Sequence, residues 1–368
     1  MSTHAGAPPQ PAAPPRVPDA VRDRLSDVVS QLAAAGMLIV IFVALSIASP
    51  YFLTSNNLFN IGVQVSIVAI VAIGQTLVIL TAGIDLSVGS VAGLAGVLGT
   101  MAIAKAGFPI IPGIIIGVLV GAAVGLVNGM LVTQMRLPPF IATLGMLGVA
   151  RGLTFIVGGE NAVYGLPQSF RLFGEGQLGP IPMPLLYLIV IAIAGHVILS
   201  RSKLGRYAYA IGSNEEAARI SGIPINRYKL AVYTICAALA GFGGLIAASL
   251  VHSGQPNYGI GLELNAIAAC VIGGASLFGG VGTIGGTLIG AFLMTVITNG
   301  AVLLNLTQYY QQVIIGVIIW LAVWWDQVRR QRLAAATEQQ HGRRTVEGGS
   351  GEPGGGGGTQ PRIPDAAA

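Results

Sequence analysis

The sequence predicts an all-α integral membrane protein with about ten transmembrane helices. Three observations carry this prediction. The chain holds too little charge to cover a water-facing surface, its apolar runs match the thickness of a bilayer, and its arginines and lysines gather in a few segments between those runs. Hydrophobic residues make up 53% of the 368 residues and charged residues 9%, where a soluble domain carries roughly 25% charge. The mean hydropathy of +0.75 agrees. Lipid must therefore be the main solvent. Most of the 53 glycines lie in apolar stretches, where small residues let helices approach closely. Cys236 and Cys270 also lie in apolar runs and imply no disulfide framework. The pI of 9.4 does not point to nucleic acid, because the basic residues occupy interhelical segments, without a lysine stripe or interleaved aromatics.

Taken in chain order, residues 1–30 form a proline- and alanine-rich N-terminal segment, within which Ala20 to Leu32 has the spacing of a short interfacial helix. The first apolar run fits a retained helix better than a signal peptide, given the long leader and the spans that follow. A crossing needs ~20 mainly apolar residues. Such runs lie near 32–49, 61–80, 87–104, 112–132, 140–157, 184–200, 228–251, 264–280, 284–304 and 309–325, so the membrane domain is expected over 31–328. Residues 329–368 turn polar and then glycine-rich and are expected to be disordered. Basic residues collect at Arg22 and Arg24, at Arg136, from Arg201 to Lys229, and at Arg329 to Arg332. An even number of spans puts all four groups on one side, which the positive-inside rule makes the cytoplasm, with both termini there. The connector 158–183 is then the largest external feature and a candidate docking surface.

Two segments interrupt this pattern. In the first, from Gly74 to Ser90, an apolar run is broken by Thr81, Gly83, Asp85 and Ser87 before another begins. Asp85 and Ser87 are good helix N-caps, and the glycine permits an unwound turn. Non-helical backbone at membrane depth survives only inside protein or beside a water-filled cavity. The break thus marks either a transport path or, more plainly, a tight turn at the surface. The second is the basic loop 204–227. Ser213 and Glu216 fit a capping box, Glu215 and Glu216 suit a first turn, Gly222 suits a left-handed cap and Pro224 ends the run. A two-turn helix over 214–221 is expected, pre-formed for docking, with Ala217 and Ala218 small enough to sit against a partner.

These residues resemble a known family. Glu216–Ala–Ala–Arg–Ile–Ser–Gly222 is similar to the EAA-type coupling loop of ATP-binding-cassette importer permeases. Gly205–Arg206–Tyr207 and Ala210–Ile–Gly–Ser–Asn214–Glu215 resemble its form in the ribose, xylose and arabinose permeases. Thr81–Ala–Gly–Ile–Asp–Leu–Ser–Val–Gly–Ser90 looks like a signature of the same branch. Pro139 to Thr143, Arg151–Gly152, Leu264 to Ala269, Gly273 to Leu277 and Tyr309 to Gln312 extend the likeness over residues 50–328. The resemblance implies a monosaccharide permease of the bacterial cytoplasmic (inner) membrane that homodimerises. It also implies a separate cytoplasmic ATP-binding subunit and a periplasmic or lipid-anchored sugar-binding protein.

Gly205, Arg206, Asn214, Glu215, Glu216, Ala217, Ala218 and Gly222 are accordingly expected to couple to the ATPase. Thr81, Asp85, Ser87, Asn128, Arg151 and Asn299 are polar groups in or beside apolar runs and candidates for the translocation path. Arg151 has an alternative as a snorkelling charge, and the two asparagines as interhelical hydrogen-bond partners. No catalytic constellation is visible. Lys105, Lys203 and Lys229 lie outside any phosphate-cradling loop, so another chain is expected to hydrolyse ATP. The four histidines are scattered, and neither a metal nor a cofactor is implied. An ion-coupled secondary transporter of a small polar solute is the competing reading. It lacks buried acids other than Asp85 and a task for the cytoplasmic helix.

Overall fold

The computed structural model describes residues 19–348. In order, its helices are α1 (Asp19–Ala48), α2 (Ser55–Leu80), α3 (Val88–Ala104), α4 (Ile110–Thr133), α5 (Pro139–Gly158), α6 (Arg171–Glu175), α7 (Met183–Arg201), α8 (Lys203–Ser213), α9 (Glu215–Ile220), α10 (Ile225–Leu250), α11 (Leu262–Ile272), α12 (Ile284–Leu303) and α13 (Gln308–Gly348). Two two-residue strands, β1 (Gln177–Leu178) and β2 (Ile181–Pro182), pair between α6 and α7. Residues Met1–Val323 form one compact unit and Trp324–Ala368 a second, whose described residues are the end of α13.

Seven helices are long and apolar enough to cross a bilayer: α2, α4, α5, α7, α10, α12 and the Gln308–Val328 part of α13. Shorter apolar helices lie at Leu32–Ala48 within α1, at α3 and at α11. The protein is thus an all-α membrane protein, but the expected run 264–280 is only half a helix. It ends at Ile272, and the chain continues to Thr283 without regular structure. Gly274, Gly279 and Gly280 there have φ of +92°, +91° and +73°. Hydropathy alone does not separate an apolar helix from an apolar glycine loop. The expected interfacial helix is the first part of α1. Residues 329–348, where composition suggests disorder, continue α13 as helix, and residues 1–18 and 349–368 lie outside the described residues.

Helix α10 packs against α2, α3 and α4 at the centre of the first unit. Lipid is as apolar as leucine, so these contacts rest on close van der Waals packing rather than on escape from water. Gly113, Gly117, Gly121, Gly125 and Gly129 recur at every fourth position of α4 and are all buried. They line one stripe of the helix and bring its backbone against α3 and α10: Gly117 faces Ala95, and Gly121 and Gly125 face the carbonyls of Ala237 and Tyr233. The connector after α5 is ordered as well. The Ser249 hydroxyl donates to the Phe170 carbonyl (2.6 Å) and accepts from the Gly174 amide (2.8 Å). Val163 and Gly254 exchange backbone hydrogen bonds of 2.9 and 3.0 Å.

A β-carbon at Gly121 would overlap the Ala237 carbonyl oxygen and lie 3.3 Å from Gly241 Cα, whereas at Gly148 it would meet nothing within 4 Å. Gly121→Ala should therefore cost roughly 1–3 kcal/mol. Gly148→Ala should be neutral or slightly stabilising, since alanine is the better helix former. Thermal unfolding in detergent checks the contrast, and equal melting of the two variants would contradict it.

Candidate functional site

The break lies where α2 ends and α3 has not begun. Asp85 is completely enclosed, which removes the surface-turn alternative. Its Oδ1 accepts from the Ser87 amide (2.8 Å) and hydroxyl (2.6 Å), and its Oδ2 accepts from Asn128 Nδ2 at 3.4 Å. Asn128 also donates to the Ser87 hydroxyl at 2.9 Å. Ser87 holds the N-cap position of α3, but its side chain makes no capping bond; its hydroxyl is committed to Asp85. The Gln75 amide, oriented by its surroundings, donates to the Asp85 carbonyl at 3.2 Å and accepts from the Asp85 amide at 3.1 Å. Thr143 reaches the Ile84 carbonyl at 3.1 Å. Groups from α2, α4 and α5 thus take the place of the missing helical partners, as backbone at membrane depth requires.

Of the six expected path residues, the structure brings together Asp85, Ser87 and Asn128. Thr81 is the C-cap of α2 and its hydroxyl returns to the Val78 carbonyl at 2.8 Å. Asn299 exchanges amide hydrogen bonds with Asn57 at 2.9 and 3.0 Å, tying α12 to α2. Arg151 donates to the carbonyls of Pro256 and Tyr258, both at 2.8 Å, and so pins the irregular segment 251–261. None of the six lines a described cavity.

The second candidate segment folds as α8 and α9. The expected loop is helical over Lys203–Ser213, and the short helix is Glu215–Ile220, capped by Asn214 rather than Ser213. Asn214 Oδ1 accepts from the Ala217 amide at 2.9 Å. Asparagine and serine cap about equally well; Ser213 is already the last residue of α8. At the other end Gly222 has φ +81°. Its amide donates to Arg219 O, and the Ile223 amide to Ala218 O, the two bonds of a Schellman cap.

The faces of α9 differ from expectation. Ala218 is buried against Ile211 and Ile225 of the chain itself, so its small size serves internal packing. Ala217, Glu216 and Ile220 face outward, Ile220 at 80% exposure. Glu215 is turned to its own chain, with Lys229 Nζ at 2.6 Å and Arg219 at 3.2 Å. Partial burial raises its carboxyl pKa, but Lys229 and Arg219 outweigh this and hold it below the usual range. Gly205 is also internal, since a β-carbon there would strike the Leu199 carbonyl, while Arg206 is exposed. A groove of about 890 Å³ runs beside α9, bounded by Arg136 and Pro138 on one side and by Arg219 and Asn226 on the other.

Helix α8 meets the break directly, a contact that sequence reading missed. The Gly280 amide donates to the Leu80 carbonyl at 3.1 Å. Gly212 packs onto that same pair so closely that any β-carbon would overlap both atoms. Tyr209 donates to the Gly282 carbonyl at 2.7 Å. The glycine of Ala210–Ile–Gly–Ser–Asn214 was a visible signal, but its neighbours are far away in sequence.

A second missed feature is a cavity of about 630 Å³, bounded by Gln64 of α2, the 251–261 segment, and the first turns of α11 and α13. Tyr258, Glu263, Asn265, Gln311 and Gln312 line it.

Residues 57–323 match the family described as branched-chain amino acid transport system / permease component. The chain belongs to this permease family. The permease is 42% identical over 292 residues to the ribose import permease protein RbsC of Escherichia coli (strain K12), covering 78% of this chain and 90% of that one. It is 43% identical over 288 residues to the RbsC of Bacillus subtilis (strain 168), covering 78% and 89%. It is 37% identical over 287 residues to the D-allose transport system permease protein AlsC of E. coli (strain K12), covering 78% and 88%. No solved structure matches it.

For the permease, Asp85→Leu would strip an acceptor from the Ser87 amide, the Ser87 hydroxyl and the Asn128 amide. Each buried donor left without a partner costs about 1–3 kcal/mol. Asp85→Asn retains an acceptor for Ser87. Asp85→Leu should lower the melting temperature in detergent far more than Asp85→Asn. Equal loss from both would show that the charge itself, rather than the hydrogen bonds, holds the break.

Proposed function

We propose that this permease is the membrane-spanning subunit of an ATP-binding-cassette importer that takes up a monosaccharide of the ribose or allose type. The observation that carries the reading is the likeness to ribose and allose permeases over most of the chain. It combines with a short helix, capped at both ends, that projects an apolar Ile220. A helix this short is not stable alone in water; fixed ends suit a surface made for a partner. In this reading α8 and α9 lie in the cytoplasm and dock on a separate ATP-binding subunit that performs the hydrolysis. The basic groove beside α9 widens the contact. Both termini are cytoplasmic, and the ordered connector 159–182 faces outward, where a sugar-binding protein delivers the substrate. The permease acts as a homodimer in the bacterial inner membrane. Movement of α9 passes to α8, and from Gly212 and Tyr209 into the Leu80–Gly280 contact, so ATP turnover reaches the break without a long relay.

The test uses the outward face of α9. Ile220→Asp and Ala217→Trp should insert and melt as wild type, yet lose co-purification with the ATP-binding subunit and D-ribose uptake. Ala218→Trp should instead lower the melting temperature, because it overfills the space between Ile211 and Ile225. Full co-purification and uptake by both outward variants would exclude α9 as the docking element.

A further inference from the structure

We infer that the 630 Å³ cavity between α2, α10, α11 and α13 is the place where the substrate's hydroxyl groups are held during passage, and that Gln64, Tyr258, Glu263, Asn265, Gln311 and Gln312 hold them. This rests on the importer reading and adds to it the substrate-contacting residues. The cavity lies in the size range of small-molecule sites. Its lining is unusual for a membrane bundle. Gln64 is an exposed amide on α2, a helix otherwise largely buried and apolar. Asn265 Oδ1 is buried, with no hydrogen-bond partner among the described residues. The backbone bounding the cavity is irregular from Val251 to Gly261, and such backbone at membrane depth belongs beside protein or a water-filled space.

The donor and acceptor inventory selects the ligand class. Five amides line it, from Gln64, Asn265, Gln308, Gln311 and Gln312. Gln311 already donates to the Leu306 carbonyl at 3.4 Å; the others offer both donors and acceptors, the Glu263 carboxylate accepts, and the Tyr258 phenol does either. A neutral sugar presents hydroxyls that also do both, so it can satisfy such a lining from many angles. An anionic solute would meet the Glu263 carboxylate. The amides, the phenol and the carboxylate therefore suit the hydroxyls of a neutral polyhydroxy solute. Glu263 also shapes the site. Its Oε1 accepts from the Gly261 amide at 3.2 Å, and Gly261, at φ +81°, starts α11. Arg151 fixes the middle of the same segment through Pro256 and Tyr258.

The test is accessibility of the cavity to a charged, membrane-impermeant methanethiosulfonate reagent in the reconstituted complex with its ATP-binding subunit and binding protein. Cys236 and Cys270 are buried, so the wild-type background should be low. Gln64→Cys, Asn265→Cys and Gln312→Cys should react, lose D-ribose uptake on labelling, and be protected by D-ribose with the binding protein. Ile115→Cys, exposed on α4, should stay unlabelled in the bilayer. If the three cavity variants do not react in a complex that takes up D-ribose, the cavity assignment is overturned and the importer reading stands. If they react and are not protected by D-ribose, the cavity is wet but does not hold the sugar. If the unlabelled complex takes up no sugar of this class, the importer reading fails and the assigned ligand fails with it.

Discussion

Backbone that leaves the helix inside a bilayer must find its hydrogen-bond partners in protein, and this constraint organises the molecule. Among the described residues, the segments 81–87, 251–261 and 273–283 leave the helix between apolar helices and are held by side chains or backbone from elsewhere in the fold. Each is satisfied differently. Side chains from Gln75, Asn128 and Thr143 serve the first, and Arg151 and Glu263 tie the second. The third is joined to the first by the Gly280–Leu80 hydrogen bond. The glycine stripe of α4 follows from the same requirement. Polar groups on separate helices meet over hydrogen-bond distances only if the backbones carrying them come close, and Gly117, Gly121 and Gly125 allow that approach.

Much of this was legible in the sequence because it depends on local chemistry. Bilayer-length apolar runs located the long helices, and the cluster Thr81, Gly83, Asp85 and Ser87 located the break. Gly222 was readable as a left-handed cap because few other residues tolerate that conformation. What the sequence hid was long-range or directional. Nothing local distinguishes an apolar helix from the glycine loop that replaces it after Ile272. Ala217 and Ala218 are adjacent and identical, and only the third dimension separates the outward from the buried one. Arg151, Asn299 and Thr81 were readable as polar groups in apolar runs, but their partners are backbone carbonyls and an asparagine that composition cannot single out.

The cavity was missed for a related reason. Its polar groups come from α2, the 251–261 segment, α11 and α13, with α2 far from the rest in sequence, and each alone reads as an ordinary helix-terminal or interhelical polar group. Their convergence also divides the labour within the proposed importer. The enclosed Asp85 cluster is assigned to shaping the bundle, and the cavity beside the 251–261 segment is the one proposed to meet the solute. Helix α8 is joined to the break and to the glycine loop and leads directly into α9, the proposed docking element.

That junction is the centre of the account, and Gly212→Ala tests it most directly. The assay is the reconstituted complex, with ATP hydrolysis and D-ribose uptake measured on the same preparation. The added methyl carbon must displace the Leu80 carbonyl or the Gly280 amide, leaving the outer face of α9 intact. The account predicts normal co-purification with the ATP-binding subunit and continued hydrolysis, with uptake per ATP strongly reduced. Wild-type uptake per ATP from Gly212→Ala would contradict it.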